Sequence, residues 1–144
     1  MIQDTKYKPG FTLLELLIVI AIIGILTAMG TVSYSTAQKR ARDSKRQGDM
    51  KAIQDAFEQY YAAHSGSYPS SCPASGGSIT IQTDNTFIIP TDPKNASPYV
   101  YNSSGCNASS YCYCAALEGS TGNADNNACH FASGGSYFCV KNLQ

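Results

Sequence analysis

A long apolar run near the N-terminus dominates the hydrophobic pattern of this chain. Between Phe11 and Val32 the one ionisable side chain is Glu15. About twenty helical residues, each rising 1.5 Å, match the roughly 30 Å hydrocarbon core of a bilayer. The alternative is a cleaved secretory signal, which has a shorter apolar region before a small-residue site such as Ser35-Thr36-Ala37. The length of the run favours a membrane-spanning helix.

The polar stretch that follows, Tyr34 to His64, keeps a helical period. It contains no proline and one glycine. Four apolar residues recur at spacings of three and four: Met50, Ile53, Phe57 and Tyr60. We expect one continuous helix from about Thr12 to His64, apolar all round in its first half and amphipathic in its second. Ser65-Gly66 is predicted to end it, because glycine tolerates the left-handed cap conformation.

After Gly66 the composition shifts to Ser, Gly, Asn, Tyr and Cys, with short β-type runs. These runs are Ile79 to Gln82, Thr86 to Ile89, Tyr99 to Tyr101, Tyr111 to Ala116 and Ser136 to Lys141. They predict a small antiparallel sheet, in which Thr83-Asp84-Asn85 joins the first two strands as a hairpin. The predicted fold class is therefore α+β: a long N-terminal helix packed on a small antiparallel β-sheet head that disulfides staple together.

Six cysteines, all in this polar region, are the disulfide candidates: Cys72, Cys106, Cys112, Cys114, Cys129 and Cys139. A small head with a thin apolar core needs covalent staples, and each bridge would add about 2 to 4 kcal/mol. Sequence alone does not choose among the possible pairings. Residues i and i+2 of a strand share a face, so we predict that Cys112 or Cys114 bridges Cys139 on the last strand.

Zinc binding and thiol catalysis are the competing interpretations of the cysteines. Zinc sites favour Cys-x2-Cys pairs, whereas this chain has one Cys-x-Cys, single cysteines and Cys129-His130. Six cysteines in an exported domain are more often structural than nucleophilic. We therefore predict no metal site and no catalytic residue among them.

The formal net charge is zero, but the charges are unevenly placed. Residues 39–51 hold six cations against Asp43 and Asp49, whereas the region after Ala52 holds six carboxylates against two lysines. The six cations are Lys39, Arg40, Arg42, Lys45, Arg46 and Lys51. A basic helix and an acidic head predict complementary surfaces for a neighbouring copy, the alternative being a solvated helix face. Specific nucleic-acid recognition has no support, since the head is acidic.

The same cations conflict with the positive-inside rule. Only Lys6 and Lys8 precede the apolar run, whereas six cations soon follow it, and the rule taken alone would leave the head in the cytoplasm. Six cysteines argue for an oxidising compartment instead. We therefore expect the head to lie outside the cytoplasmic membrane.

The residues just before and inside the apolar run resemble a known signature. Gly10-Phe11-Thr12-Leu13-Leu14-Glu15, followed by the long apolar helix, is similar to the prepilin signal of type IV pilins and type II secretion pseudopilins. The resemblance implies cleavage after Gly10 by a prepilin peptidase and methylation of the new amino terminus at Phe11. It divides the chain into a leader (1–10), a transmembrane and filament-core helix (11–33), an amphipathic helix (34–64) and a Cys-rich head (65–144).

A weaker resemblance lies in the head. The segments Pro90-Thr91-Asp92-Pro93, Pro98-Tyr99-Val100-Tyr101 and Ala115-Ala116-Leu117-Glu118 are similar to the head pattern of pilins close to the major pseudopilin of type II secretion systems. Major pseudopilins bind calcium in a head loop, and here Asp125 and Asn127 offer oxygen ligands, without the glycine and final glutamate of an EF-hand. We predict no cofactor, with calcium as the one candidate.

Glu15 is the predicted assembly residue. Cleavage would create a positive amine at Phe11, four residues earlier on the same helix face, and an unpaired carboxylate in hydrocarbon costs up to about 3 kcal/mol. A subunit entering a bundle would offer this carboxylate to the amine of a neighbour. The alternative is a glutamate that snorkels to the headgroups.

Gly24 and Gly30 are the predicted helix-weakening positions. Val32 stands where the resembled family often has a helix-bending proline, so the two glycines are the residues that lower helix stability here. The resemblance marks the segment between them, Ile25 to Met29, for local melting in a filament.

These features predict a non-enzymatic structural subunit. It would wait in the cytoplasmic membrane and then enter an extracellular, helical homopolymer, with the peptidase, an assembly ATPase and a membrane platform as implied partners. Two alternatives stay open: a pseudopilin of a type II secretion system or DNA-uptake apparatus, and a membrane-anchored, disulfide-rich binding module that does not polymerise. The sequence does not choose among adhesion, motility, DNA uptake and secretion.

Overall fold

A computed structural model describes residues 10–144 of the chain. The predicted leader, apart from Gly10, lies outside the described residues, and so do Lys6 and Lys8. The side chains of Thr31 and Val32 are also outside the description. Contacts divide the chain into two compact units, the first ending at Ala37 and the second beginning at Gln38.

One helix, α1, runs from Leu13 to Ala63 and contains 51 residues. The predicted continuous helix is therefore confirmed to within one residue at each end. At its C-terminus the Gly66 N–H donates to the Tyr61 carbonyl at 3.1 Å, the bond of a Schellman motif. The left-handed conformation begins one residue earlier than glycine, since Ser65 has φ 56° and Gly66 has φ 80°.

Two antiparallel sheets follow the helix, rather than the single sheet predicted. The first pairs β1 (Ser78–Gln82) with β2 (Asn85–Ile88), and the second has the order β3 (Asn102–Asn107), β4 (Ser110–Ala116) and β5 (Tyr137–Lys141). The predicted hairpin is confirmed, and Gln82 pairs directly with Asn85 at its turn.

The predicted strand at Tyr99 to Tyr101 is wrong. Tyr99 takes part only in an isolated bridge with Ala96, and the strand lies just beyond, in β3. The β3 sequence, Asn-Ser-Ser-Gly-Cys-Asn, has no alternating apolar pattern and carries a glycine, both of which argue against a strand. It is extended because it pairs with the almost fully buried β4, through Asn102 opposite Cys114 and Ser104 opposite Cys112.

The core of the second unit lies between α1 and the face of β4 that carries the tyrosines. Met50, Ile53 and Phe57 are completely buried, which confirms the predicted apolar stripe. The Phe57 ring lies 4.5 Å from the ring of Tyr111 and 5.4 Å from that of Tyr113, between ring centroids. Aromatic contacts of this kind compensate for the scarcity of large aliphatic residues in the head.

Three disulfides close the head: Cys72–Cys106, Cys112–Cys129 and Cys114–Cys139. The predicted bridge from the Cys-x-Cys strand to the last strand is present, because Cys114 faces Cys139 directly in the β4–β5 register. The Cys72–Cys106 bridge packs against the main core. The other two bridges form a separate cluster with Ala124.

Candidate functional site

The first candidate site lies at the start of α1. Thr12 precedes the helix, and its backbone N–H and hydroxyl donate to Glu15 Oε2 at 2.8 and 2.9 Å. The Glu15 N–H in turn donates to Thr12 Oγ1 at 3.2 Å. Together these bonds form a reciprocal capping box, in which the two side chains satisfy N–H groups that the first helical turn leaves unpaired.

The capping box corrects part of the prediction for Glu15. Phe11 precedes the helix in this chain, so it does not share a helix face with Glu15. The sequence signal was present, since Thr12 followed three residues later by glutamate is the capping-box pattern. Gly10 and Phe11 are exposed, and the exposed fraction of Phe11 is 91%. The predicted cleavage point is therefore accessible.

The apolar part of α1 presents its side chains on every side. Its large apolar residues from Leu13 to Met29 are 48% to 88% exposed. Its most apolar window of 18 residues has a mean hydropathy of 2.6, long and apolar enough to cross a membrane by length and composition. A secretory signal near an N-terminus would meet the same criterion, so this property does not by itself define a membrane span.

The helix is continuous through both predicted weak points, Gly24 and Gly30. A Cβ atom at either glycine would meet no atom within 4 Å beyond its chain neighbours and the nearby backbone of its own helix, so neither glycine is required by close packing in the isolated chain. Between these two glycines the Thr27 hydroxyl donates hydrogen bonds to the carbonyls of Ile23 and Gly24, at 2.9 and 3.0 Å. Melting of this segment concerns the assembled filament and stays a prediction.

The second candidate site is a buried charge cluster in the head unit, centred on Arg46. Its guanidinium is completely buried and bonds three carboxylates: Asp92 at 2.6 and 3.0 Å, Asp43 at 2.8 Å and Glu118 at 2.8 Å. Asp43 also accepts backbone N–H bonds from Glu118, Gly119 and Ser120. One helix and two loops thus meet at a single cation.

Two further cations and an aromatic ring border the cluster. Arg42 forms a two-bond contact with Glu118, at 2.7 and 2.8 Å, and Lys94 reaches the same carboxylate at 2.8 Å. The Tyr99 ring lies 4.6 Å from the Arg46 guanidinium carbon and 4.4 Å from the Lys94 ammonium, measured to its centroid. Three cations and three carboxylates therefore balance one another, which makes their burial tolerable.

The surroundings of Glu118 and Asp43 lower the pKa of both carboxyl groups. The Arg42 guanidinium, helped by Lys94 and Arg46 and opposed by desolvation, holds the pKa of the Glu118 carboxyl far below its usual range. Burial alone would raise the pKa of Asp43, but the N–H groups of Glu118 and Gly119 and the Arg46 guanidinium together lower it. Both carboxyls therefore stay ionised well into acid.

The cluster corrects the predicted complementary surfaces. Arg42 and Arg46, two of the six helix cations, are neutralised within the same chain, and so are Asp92 and Glu118 of the acidic head. The cations left exposed on the helix are Lys39, Arg40, Lys45 and Lys51. Any charge contact with a neighbouring copy must use this smaller set.

One of the two calcium candidates, Asp125, contacts a histidine of its own loop. Both oxygens of Asp125 lie 2.9 Å from His130 Nδ1, and the Asn126 side-chain oxygen accepts the N–H groups of Ala128 and His130. Oxygens of Asp125 and Asn126 therefore take part in contacts within the loop, and calcium binding by Asp125 and Asn127 stays a prediction. Within residues 10–144, the one group of three metal-ligand side chains is Cys112, Cys114 and Cys129, and disulfides occupy all three.

Comparison with known proteins identifies the N-terminal pattern. Residues 5–31 match the family described as the prokaryotic N-terminal methylation motif. The chain is 28% identical over 137 residues to the type II secretion system core protein G of Pseudomonas aeruginosa, covering 88% of this chain and 95% of that protein. It is 34% identical over 88 residues to a fimbrial protein of Neisseria meningitidis, covering 61% of this chain and 51% of that protein.

A third relative matches over a shorter stretch. The type IV major pilin protein PilA of Myxococcus xanthus is 40% identical over 61 residues, which is 40% of this chain and 28% of that protein. The chain thus spans about half or less of the length of the pilins it matches, and nearly all of core protein G. No solved structure gives a significant match. The motif and these relatives together support the resemblance of the chain to the type IV pilin and type II secretion pseudopilin family.

Proposed function

We propose that this chain is a structural subunit of an extracellular, type IV pilus-like filament. The observation that carries the proposal is the match of residues 5–31 to the N-terminal methylation motif, which overlaps from Leu13 onward with a helix whose apolar residues are exposed on every side. Such a surface is stable in water only when something covers it. A bilayer covers it before assembly, and equivalent helices of neighbouring subunits cover it afterwards.

Glu15 links these two states. Cleavage after Gly10 would leave a positive amine at Phe11, beside a carboxylate that Thr12 already orients toward the helix start. In a low-dielectric bundle this carboxylate pairs with the amine of an adjacent subunit and sets the axial register. The peptidase, an assembly ATPase and a membrane platform belong to this proposal as partners.

The matched test separates assembly from helix capping. Glu15→Ala removes both the carboxylate and the capping box, whereas Thr12→Ala removes the hydroxyl of the box and keeps the carboxylate. We expect Glu15→Ala to abolish filaments recovered by shearing while the protein remains in the membrane fraction, and Thr12→Ala to preserve them. Equal loss in both variants would assign Glu15 to capping alone and overturn its role in assembly.

Intact-protein mass spectrometry tests processing directly. We expect the sheared material to contain a chain that begins at Phe11 with one added methyl group. A chain that keeps the leader, or that occurs only as a monomer in membranes, would favour the anchored binding module and contradict the proposal.

A pseudopilin of a type II secretion system is the second candidate, because the match to core protein G covers nearly the whole of both chains. Filament abundance distinguishes the two. A pilin yields long filaments in sheared fractions at native expression, whereas a pseudopilin stays in the envelope and its deletion blocks secretion of exported proteins.

A further inference from the structure

Two disulfides of the head lie close enough to exchange partners. The Cys114 and Cys129 sulfurs belong to different bridges, yet they are only 3.6 Å apart, and the Cys112 and Cys114 sulfurs are 4.0 Å apart. Disulfide exchange proceeds through direct approach of a thiolate sulfur to a disulfide sulfur, and the Cys114 and Cys129 sulfurs are already in contact. The four cysteines thus form one connected sulfur cluster.

The two bridges of this cluster differ in access. Cys114 and Cys139 are buried, with exposed fractions of 0% and 1%. The Cys112–Cys129 bridge lines an open surface depression of about 310 Å³, which Lys141 also lines. Cys129 is partly exposed and lies in a loop with φ 66°. A reductant in solvent therefore reaches the outer bridge, whereas the inner bridge is shielded.

One charged side chain also lines the depression. Lys141 contributes a cation to its lining, and cations beside a cysteine stabilise the thiolate, which is the reactive form. The Lys141 ammonium is held over the Phe131 ring at 5.1 Å, beside the same depression. The outer bridge thus combines access with a cation in the same depression.

We propose that Cys129 is a thiol-exchange site that connects dithiol reductants in solvent to the buried Cys114–Cys139 bridge. In the first step an external dithiol reduces Cys112–Cys129, becomes a disulfide itself and leaves two thiols. In the second step the Cys129 thiolate attacks the Cys114 sulfur, so that a Cys114–Cys129 bond forms and the Cys114–Cys139 bond breaks. Cys139 leaves as a thiolate and takes up the proton that Cys129 lost, so this step consumes no further electrons.

This inference does not depend on polymerisation, and it holds for a pilin, a pseudopilin or an anchored module. Its outcome is a head in which Cys112 and Cys139 are free and Cys114 is joined to Cys129. A thiol–disulfide oxidoreductase of the cell envelope would supply the dithiol chemistry.

A single variant tests whether the Cys114–Cys129 bond can form in the full chain, kept in detergent micelles. Cys139→Ala leaves Cys114 as a free thiol beside the intact Cys112–Cys129 bridge. Attack of Cys114 on Cys129 would transfer the free thiol to Cys112. After incubation at mildly alkaline pH and trapping with a maleimide, peptide mapping should find about a tenth or more of the label on Cys112, as expected for pairings within about 1.4 kcal/mol of each other.

The matched control is Cys106→Ala, which leaves Cys72 free against the main core and away from the sulfur cluster. Its label should stay on Cys72. Label confined to Cys114 in the Cys139→Ala chain, at the same incubation, would overturn the proposal.

The unsubstituted chain provides a second measurement that does not depend on the folding of a variant. A limiting amount of a phosphine reductant opens the outer bridge, and the thiols are trapped either at once in acid, which suppresses exchange, or after incubation at mildly alkaline pH. We expect native thiol pairs in the first case and joint labelling of Cys112 and Cys139 in the second. Unchanged native pairs after incubation would contradict the exchange.

Discussion

The two units of this protein use opposite means to reach stability. In the described part of the unit that ends at Ala37, large apolar side chains lie open on every side of one helix, and a capping box closes its start. In the unit that begins at Gln38, a small core, a balanced charge cluster and three disulfides are contained within the chain. The first unit requires a partner or a bilayer to cover it, whereas the second is complete on its own.

This difference separates two kinds of mutational effect. A change in the head should alter the free energy of unfolding of the isolated subunit, and a change in the apolar helix should alter insertion or assembly while the head stays folded.

Arg46→Met is expected to have the largest effect on the head. It leaves Asp43, Asp92 and Glu118 facing one another without their central cation, and removal of one partner from a buried ion pair costs about 3 to 5 kcal/mol. Denaturant unfolding of the detergent-solubilised chain, followed by the near-ultraviolet circular dichroism of its tyrosines, measures the loss. The control is Lys45→Met on the exposed side of the same helix, for which we expect a change within about 0.5 kcal/mol.

Truncation of isoleucine to alanine gives a direct comparison of the two units. Ile53→Ala creates a cavity in the core and should lower the free energy of unfolding by about 2 to 5 kcal/mol. Ile22→Ala, in the exposed apolar helix, should leave the unfolding of the head unchanged and reduce the yield of sheared filaments. A large loss of head stability from Ile22→Ala would show that the two units are coupled and would break the comparison.

The buried face of α1 shows how far the sequence predicts the structure. The spacing of Met50, Ile53 and Phe57 predicted the buried face of α1, since apolar residues at intervals of three and four leave little ambiguity. Asp43 and Arg46 continue that spacing toward the N-terminus, yet their charge led to the prediction of an exposed basic surface. Burial of such residues depends on partners from distant loops, which a local pattern does not contain.

The candidate assembly site was predicted in part. The signature predicted the position of Glu15. It did not predict the bonds between Glu15 and Thr12, which depend on the helix beginning at the start of the apolar run. Strand β3 was missed for a different reason, because its conformation is imposed by pairing with β4 rather than by its own residues.

Acid is expected to weaken the head through the lowered carboxyl pKa values. Glu118 and Asp43 titrate at lower pH in the folded state than in the unfolded state, so the unfolded chain binds more protons in acid. Their stabilisation is complete above the unfolded pKa values, near pH 4, and falls as the pH drops further toward the folded values. Urea titrations between neutral and acid pH measure the decline.

The control for this titration is Asp84→Asn, which changes an exposed carboxylate on the β1–β2 turn and should leave the acid decline intact. Glu118→Gln should make the decline shallower, since it removes one of the two titrating groups. A stability that stays constant from neutral pH down to the unfolded pKa values and below them would mean that the cluster does not contribute to folding.

Metal chelation is expected to have the smallest effect. In a head whose loops were joined by calcium, removal of the ion would release the loops and lower the melting temperature. Here the loops at Asp92 and Glu118 are joined by the Arg46 guanidinium, and the carboxylate of Asp125 is engaged by His130. Excess EDTA should therefore leave the melting temperature of the unsubstituted chain unchanged, whereas a fall that added calcium reverses would show that a metal site in the head shares the function of Arg46.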